Sequence, residues 1–542
     1  MTEIQADVVI VGGGLGGIAA ALTAVRRGCS VVLTEQTRWI GGQLTAQAVP
    51  PDENEWIEDF GATASYRSLR HRIRDHYRRN YPLTLDAATD PFLNPGNGRV
   101  SRLCHEPRAA HAVLSDLLAS PIASGRLRLL LEHEPVQVSV DGDRLEAVAV
   151  RNNQTGAEIT LTGSVFIDAT ELGDLLELGG VEHVIGSESA AETGEPHALD
   201  GPAQPLDQQS FSVCFALEHR PGEDHTIDRP AEYDFWNAYK ADFWPDKQLS
   251  WWEVFPDSLS PHHRPIFQDP PHYPGRDGCD LWHFRRILDH ANFTPDSGIR
   301  DVTLVNWPAI DYWLGPLTGV TADERRTHEE RARQLSLSYL YWMQTEAPRL
   351  DGGVGYRSLR LRGDLTGDGP DGLALYPYVR EARRIRAETT VTEQHISVTA
   401  RGDLIGAEDF HDSVGIGHYR LDLHPSTGGP GGPRTYIDLA TWPFQIPLGA
   451  LLPVRVDNLL PAAKNIGTTH VTNGCYRLHP VEWNIGEVSG ALAEHCVHTG
   501  DIPRAVRADE RKLTDFQRVL SSLGVPLRWP EDVRTRGATP IG

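Results

Sequence analysis

The sequence predicts an α/β fold: a parallel sheet with helices on both faces and a small β crossover, into which an α+β domain is inserted. Three observations predict it. Residues 7–35 read as strand, glycine-rich turn, helix and second strand, a complete βαβ unit. A further apolar strand, Ser164–Ile167, ends in small and hydroxyl residues. A strand and an alanine- and glycine-rich helix return near the carboxy terminus, between Asn458 and Ala493, after a long stretch of different composition.

Each part of the opening unit has a mechanical reason. Gly12 permits the tight turn, Gly14 lets a pyrophosphate approach the backbone, and Gly17 lets helix and strand pack closely. Leu15 and Gly16 open the helix, whose positive end favours phosphate charge. The second strand ends at Glu35, followed by Gln36, about 20 residues beyond the first glycine, where an acid accepts hydrogen bonds from a ribose diol. The unit therefore points to a Rossmann-type domain binding an adenine dinucleotide, and by itself does not separate NAD from FAD.

The chain has 542 residues, 40% of them apolar and 23% charged, enough for several domains with a large core. Its net charge of −23 argues against nucleic acid or an anionic membrane as a partner. Six cysteines are scattered without CxxC spacing, as expected of free, buried thiols in a reducing compartment. No run of about 18 apolar residues suits a membrane span, and the residues before Asp7 carry no apolar core of a secretory signal. A cytoplasmic protein is expected, and a homo-oligomer is left open.

After Glu35, the loop Trp39–Thr45 contains Gly41 and Gly42, which let main-chain amides approach a ligand, and Gln43, Leu44 and Thr45 beside them. The run from Tyr66 to Tyr81 is a basic helix that reads either as a solvated face or as an anion-binding surface. Residues 108–118 have helical spacing, and Leu127 to Val150 alternates in β fashion around Asp141-Gly142-Asp143. The strand Ser164–Ile167 then leads into Asp168-Ala169-Thr170.

The opening unit, the Trp39-Ile40-Gly41-Gly42-Gln43 loop and the Ile167-Asp168-Ala169-Thr170 strand end resemble the FAD-dependent oxidoreductases of glutathione-reductase type. The resemblance implies that these pieces hold FAD, with Glu35 on the adenosine ribose and Val136, Ala169 and Thr170 among the contacts. Near the carboxy terminus, Asn458–Gly467 and the helix starting at Pro480 resemble the family's second FAD motif. There a strand delivers a polar group to the ribityl chain, and a helix start faces the flavin pyrimidine, where reduction leaves negative charge. The family's Ala-Gly-Arg is here Ala463-Lys464-Asn465, leaving that contact between Lys464 and Asn465, with Glu482 and Ile485 on the helix also expected at the cofactor.

Between these motifs, prolines cluster and eight tryptophans from Trp236 to Trp342 accompany His262, His263, His272, His283 and His290. Such density suits a pocket that stacks on a ring, and equally the core of an irregular domain. The histidines lack metal-site spacing, so no metal is expected. Thr321 to Thr345 is the longest helical pattern. Tyr376–Arg386 resembles the family's Pro-Tyr-x-Arg-Glu-Ala-Arg-Arg segment and carries Tyr378 and Arg380. Ser426–Pro433 reads as a flexible loop between domains. The expected boundaries are 1–195 and 441–505 for the two parts of the FAD domain, 196–440 for the substrate domain, and 506–542 for a helical extension.

A second GxGxxG, a CxxxxC pair and a Trp-x-Trp-x-Ile-Pro signature are all absent, which removes disulfide reductases and flavin halogenases. The reading left is an oxidase or dehydrogenase. A small organic substrate gives hydride from CH–OH or CH–NH to flavin N5, and oxygen or another acceptor closes the cycle. His470 is the first candidate for the base and His479 the second, with Tyr378, Arg380, Asn473, Arg477 and Glu482 as further polar groups. The alternatives are a monooxygenase using NAD(P)H and oxygen, and a non-redox protein with structural FAD.

Overall fold

The computed structural model describes residues 2–256, 258–268, 279–427 and 435–536. Its centre is a five-stranded sheet with spatial order Leu459–Pro461, Val165–Asp168, Val8–Val11, Val31–Glu35, Leu127–Leu131, every pairing parallel. Val8 to Val11 are fully buried, as a strand covered on both faces requires. The helix Leu15–Arg26 crosses from the first strand to its neighbour, completing the expected βαβ unit. A second sheet is the crossover: Arg144–Asn152 pairs antiparallel with His133–Asp141 and Glu158–Thr162, and Thr2–Gln5 closes the edge. The fold is thus the expected α/β class. One detail differs from the hairpin reading, because Leu127–Leu131 joins the parallel sheet and only the following strands form the hairpin.

The carboxy-terminal helix, His479–Thr499, packs along the amino-terminal helix, backbone meeting backbone at Gly486 and Gly490. A Cβ on Gly486 would lie 2.0 Å from the Gly16 carbonyl oxygen, and one on Gly490 would lie 2.3 Å from that of Ala20. Gly16 in turn faces the Ala462 carbonyl at 1.5 Å from where its own Cβ would stand. The helix begins one residue earlier than expected, so Pro480 takes its second position, where an amide hydrogen is equally dispensable. Ahead of it, His470–Tyr476 is helical rather than a loop, because Thr469 caps it and accepts from the Thr472 amide.

The intervening residues build their own antiparallel sheet, ordered Arg286–Leu288, Val302–Val305, Phe215–His219, Leu359–Leu361. The helix Ala322–Thr345, capped by a Thr321/Glu324 box, packs beside it. Trp236, Trp244, Trp282 and Trp307 are fully buried. Of the two readings of the tryptophan-rich stretch, the structure favours a core. The basic helix, Ala64–Asn80, turns two arginines inward: Arg70 pairs with Glu53 and Glu58, and Arg74 with Glu58. All six cysteines are free and buried. Among the described residues no helix is long and apolar enough to cross a membrane. Residues 428–433 of the expected glycine-rich loop lie outside the described residues.

Gly486→Ala tests the helix contact. Alanine favours an isolated helix by up to about 1 kcal/mol, but here its methyl meets backbone that has no rotamer to move. The expected net loss is about 1–3 kcal/mol, seen as a melting temperature lower by at least about 2 °C; an unchanged or higher value would show that the helices can separate at no cost.

Candidate active site

The carboxyl ends of the central strands open onto a narrow cavity lined by Gly12, Gly14, Glu35, Gln36, Ala169 and Thr170, with His133 and Pro135 from the crossover hairpin. Six of the expected cofactor residues meet here. Val136 is not in the lining, since neighbouring side chains on a strand point to opposite faces. Gly12 has φ +105°, and a Cβ there would lie 2.1 Å from the Ala169 carbonyl oxygen, so the turn requires glycine. Glu35 accepts from the Gly13 amide at 2.9 Å and the Thr37 amide at 2.8 Å. Burial pushes its carboxyl up to about 7.

Further along the turn, three distant segments converge. The Gly16 amide donates to Glu482 Oε1 at 3.2 Å. Gln43 Nε2 donates to the other Glu482 oxygen and to the Arg477 carbonyl, the latter at 3.1 Å. Buried Lys464 pairs with Glu171, whose carboxylate stands over Gly14 and Gly42. Asn465 spends its amide on the Ala463 amide, 3.2 Å, and the Asp168 carbonyl, 3.0 Å, so it shapes the turn and leaves Lys464 as the polar group at this point. Leu15, Gly17, Leu44 and Ile485 are buried in the packing beneath, and Thr45 Oγ1 donates within its own loop to the Ile40 carbonyl at 2.6 Å.

These residues fit a dinucleotide. The Glu482 carboxylate is a stand-in anion on the amide end of a helix, where a pyrophosphate would be held. Beyond it, Gln43 Oε1, both polar atoms of Gln47 and Arg477 Nε are buried without hydrogen-bond partners. Such a cluster of orphaned donors and acceptors suits a polar ring system.

A larger cavity lies against this end. Its wall includes Asp52, Asn306, Asp422 and His424, together with Arg264, Arg285 and Arg420 and the rings of Phe255, Phe284, Tyr419 and Tyr436. Three bonds join it to the orphan-rich region: the Asp52 amide to His479 Nδ1, 3.1 Å; Arg477 Nη2 to Asp422, 3.5 Å; and Arg380 Nη2 to Asn306, 3.3 Å. His424 Nδ1 lies 2.5 Å from Asp311 Oδ2, and Asp311 also accepts from Ser212 Oγ at 2.6 Å and pairs with Arg380 at 3.0 Å. Burial alone would raise the Asp311 carboxyl, but Arg380 and His424 outweigh it and hold it below the usual range.

The four expected catalytic residues do not line this cavity. His470 is buried with Nδ1 on Glu381 at 2.8 Å and Nε2 on Thr435 Oγ1 at 2.7 Å. Burial alone would lower its pKa, yet Glu381 outweighs burial and raises it. Both ring nitrogens of this first candidate base are therefore taken up within the protein. His479 is held neutral, pushed down to about 4 by burial. Tyr378 OH accepts from Arg477 Nη1 at 2.6 Å, and its ring lies under the Arg380 guanidinium at 4.8 Å. Arg380 is committed to Asp311, so it positions that carboxylate. His424 and Asp311 carry no sequence motif, and of the five clustered histidines only His262 reaches the cavity among the described residues. The one trio with metal-ligand spacing among the described residues, Asp289, His290 and Asp301, already holds a cation, because Arg286 reaches both carboxylates at 2.6 and 3.1 Å.

A sequence profile described as FAD dependent oxidoreductase matches residues 7–520. The chain belongs to this family. It is an FAD-dependent oxidoreductase, an enzyme whose cofactor is FAD. Over 59 residues the oxidoreductase is 39% identical to an NADH oxidase of Thermoanaerobacter brockii, covering 10% of this chain and 9% of the relative. It is 36% identical, also over 59 residues, to an FAD-dependent monooxygenase of Nectria sp, covering 11% and 14%. It thus spans a small part of either relative's length. Among solved structures it is similar to the quinol fumarate reductase of E. coli, with TM-score 0.34, 11% identity and coverage of 96% of this chain and 74% of that one. A geranylgeranyl bacteriochlorophyll reductase-like protein of Thermoplasma acidophilum gives TM-score 0.32, 9% identity and coverage of 96% and 84%.

In the oxidoreductase, Glu482 stands where phosphate charge is expected, and burial pushes it up to about 7, Lys464 opposing and Glu171 adding to the shift. Below that pH the folded chain holds the proton and the carboxyl is neutral; above it an ionised carboxylate competes for the Gly16 amide. The dissociation constant for FAD, read by flavin fluorescence quenching, should rise about tenfold between about pH 6 and about pH 8.5, and Glu482→Gln should flatten the rise. An identical pH profile in the variant would remove Glu482 from the phosphate site.

Proposed function

We propose that this FAD-dependent oxidoreductase is an oxidase or dehydrogenase that takes hydride from a CH–OH or CH–NH group of a small organic substrate held in the larger cavity. The observation that carries the reading is the buried Asp311 aligned on His424 in the cavity wall. His424 Nδ1 meets Asp311, and its Nε2 lies at the cavity wall, 3.8 Å from Asp422. His424 is the base that takes the hydroxyl or amine proton while hydride leaves the adjacent carbon.

Bound FAD supplies the two-electron acceptor. Residues 1–195 and 441–505 would hold it in the manner of the glutathione-reductase type, which the parallel sheet and its crossover support, and residues 196–440 would hold the substrate. Gly12, Gly14, Glu35 and Thr170 are the candidates for the adenosine end; Gly16, Gln43 and Lys464 for the phosphates and ribityl chain; Gln47 and Arg477 for the ring. Asp311 keeps His424 in the useful tautomer and stabilises its imidazolium. Arg380 and Ser212 keep Asp311 ionised and in place. The start of the helix His479–Thr499 offers the positive end of a dipole where negative charge develops. Oxygen or another acceptor completes the cycle.

The test is anaerobic mixing of the FAD-loaded enzyme with alcohols, sugars, hydroxy acids and amines. Loss of visible flavin absorbance on substrate alone is expected; loss on NAD(P)H alone would favour the monooxygenase. His424→Gln should bind FAD normally and slow that bleaching by about 10²–10⁴-fold, with Asp311→Asn slowing it as well. Unchanged bleaching in His424→Gln would place the base elsewhere.

A further inference from the structure

Most of the charged side chains in the wall of the larger cavity have a partner of opposite sign. Arg264 meets Glu253 at 3.4 Å and donates to the Cys279 carbonyl at 2.7 Å. Arg420 pairs with Asp438, and Asp422 with Arg477. Arg285 has no carboxylate partner among the described residues, and its Nε is buried without a hydrogen bond. It is half-buried, with its guanidinium over the Phe284 ring at 4.8 Å, and the same ring carries Arg264 at 4.5 Å. Its field reaches inward, opposing burial at the thiols of Cys104 and Cys214.

A partly buried guanidinium without a counter-ion is unusual in a chain with acids to spare, 74 acidic residues against 51 basic. The planar fork on an aromatic ring is a ready receptor for a carboxylate. A monoanion would balance Arg285, whereas a phosphate dianion would bring surplus negative charge beside Asp52, Asp422, Glu253 and Asp438.

We propose that Arg285 anchors a carboxylate of the substrate, so that the enzyme acts on a hydroxy acid or an amino acid rather than on a neutral alcohol or amine. This rests on the larger cavity being the substrate site. Arg285 then decides specificity and orientation, holding the carboxylate at one wall while the hydroxyl or amine faces His424.

The test uses the FAD-loaded enzyme and calorimetric titration with short monocarboxylates, hydroxy acids and amino acids, each set against its neutral amide or alcohol counterpart, and with inorganic phosphate. At least one acid should bind about 30-fold or more tightly than its neutral counterpart. Arg285→Ala should abolish that advantage and Arg285→Lys should keep only part of it, since lysine retains the charge and loses the fork. Unchanged melting temperature and unchanged affinity for the neutral counterpart show that the variants are folded; where Arg285→Ala does not fold, Arg285→Lys decides. The proposal is overturned if no acid outbinds its counterpart, if the advantage survives the substitutions, or if phosphate alone shows dependence on Arg285. Binding is read separately from flavin bleaching. Acids that bind through Arg285 without any substrate bleaching the flavin would overturn the hydride-transfer reading and leave the anion site standing. Bleaching by neutral alcohols with no preference for acids would overturn the anion site alone.

Discussion

The contact on which the rest depends is backbone against backbone, Gly486 on Gly16 and Gly490 on Ala20, between helices at opposite ends of the chain. Because glycine interposes no side chain at these two points, the amino end of the later helix comes down directly over the glycine turn. That approach brings Glu482 to the Gly16 amide. It also fixes the strand Leu459–Pro461 beside Val165–Asp168, so that Lys464 reaches Glu171. Closing so long a loop costs little more than closing a short one, since the entropy grows only with the logarithm of length. A large domain can therefore sit between the two halves without weakening their union.

Two buried clusters have the same composition and opposite consequences. Arg380, Asp311 and His424 form one; Arg384, Glu381 and His470 form the other, with the arginines four residues apart in a single segment. In each, arginine holds a carboxylate ionised against the cost of burial, and the carboxylate orients a histidine. What differs is the far side of the ring. The His424 side chain is 17% exposed in a cavity wall, whereas that of His470 is 2% exposed and its second nitrogen meets Thr435. On the proposed reading the first exchanges a proton with a ligand. The second fixes the helix His470–Tyr476, whose first amide is also held by Glu188 at 2.8 Å. Removing any one partner would leave a charge unpaired in the interior, so both clusters also hold their segments in place.

The βαβ unit, the crossover, the long helix capped at Thr321 and the second strand–helix pair were legible because each is written in local spacing: apolar period, capping residues and glycine placement. The adenosine side of the candidate site follows from the same patterns. The proton-transfer side does not. His424 and Asp311 stand more than a hundred residues apart, are joined only by tertiary structure, and neither sits in a run with a recognisable period. His470 looked equivalent in sequence, because nothing local shows that Glu381 and Thr435 take up both of its nitrogens. The tryptophans left two readings open for a related reason: composition reports aromatic density, while only packing decides whether the rings face a cavity or one another.

Orphaned polar atoms carry the last step. A buried donor or acceptor without a partner costs about 1–3 kcal/mol, and a whole domain is stable by only about 5–15 kcal/mol. Gln43, Gln47 and Arg477 concentrate several such atoms in one region between the glycine turn and the larger cavity. On the proposed placement of FAD the flavin would meet them, so cofactor binding would repay part of the folding cost where the two halves of its domain join. Cofactor and helix contact would then reinforce each other: the glycines hold the polar groups in place, and the polar groups, once satisfied, hold the helices together. Specificity can then vary in the inserted domain, because the union that carries the cofactor does not depend on the residues that choose the substrate.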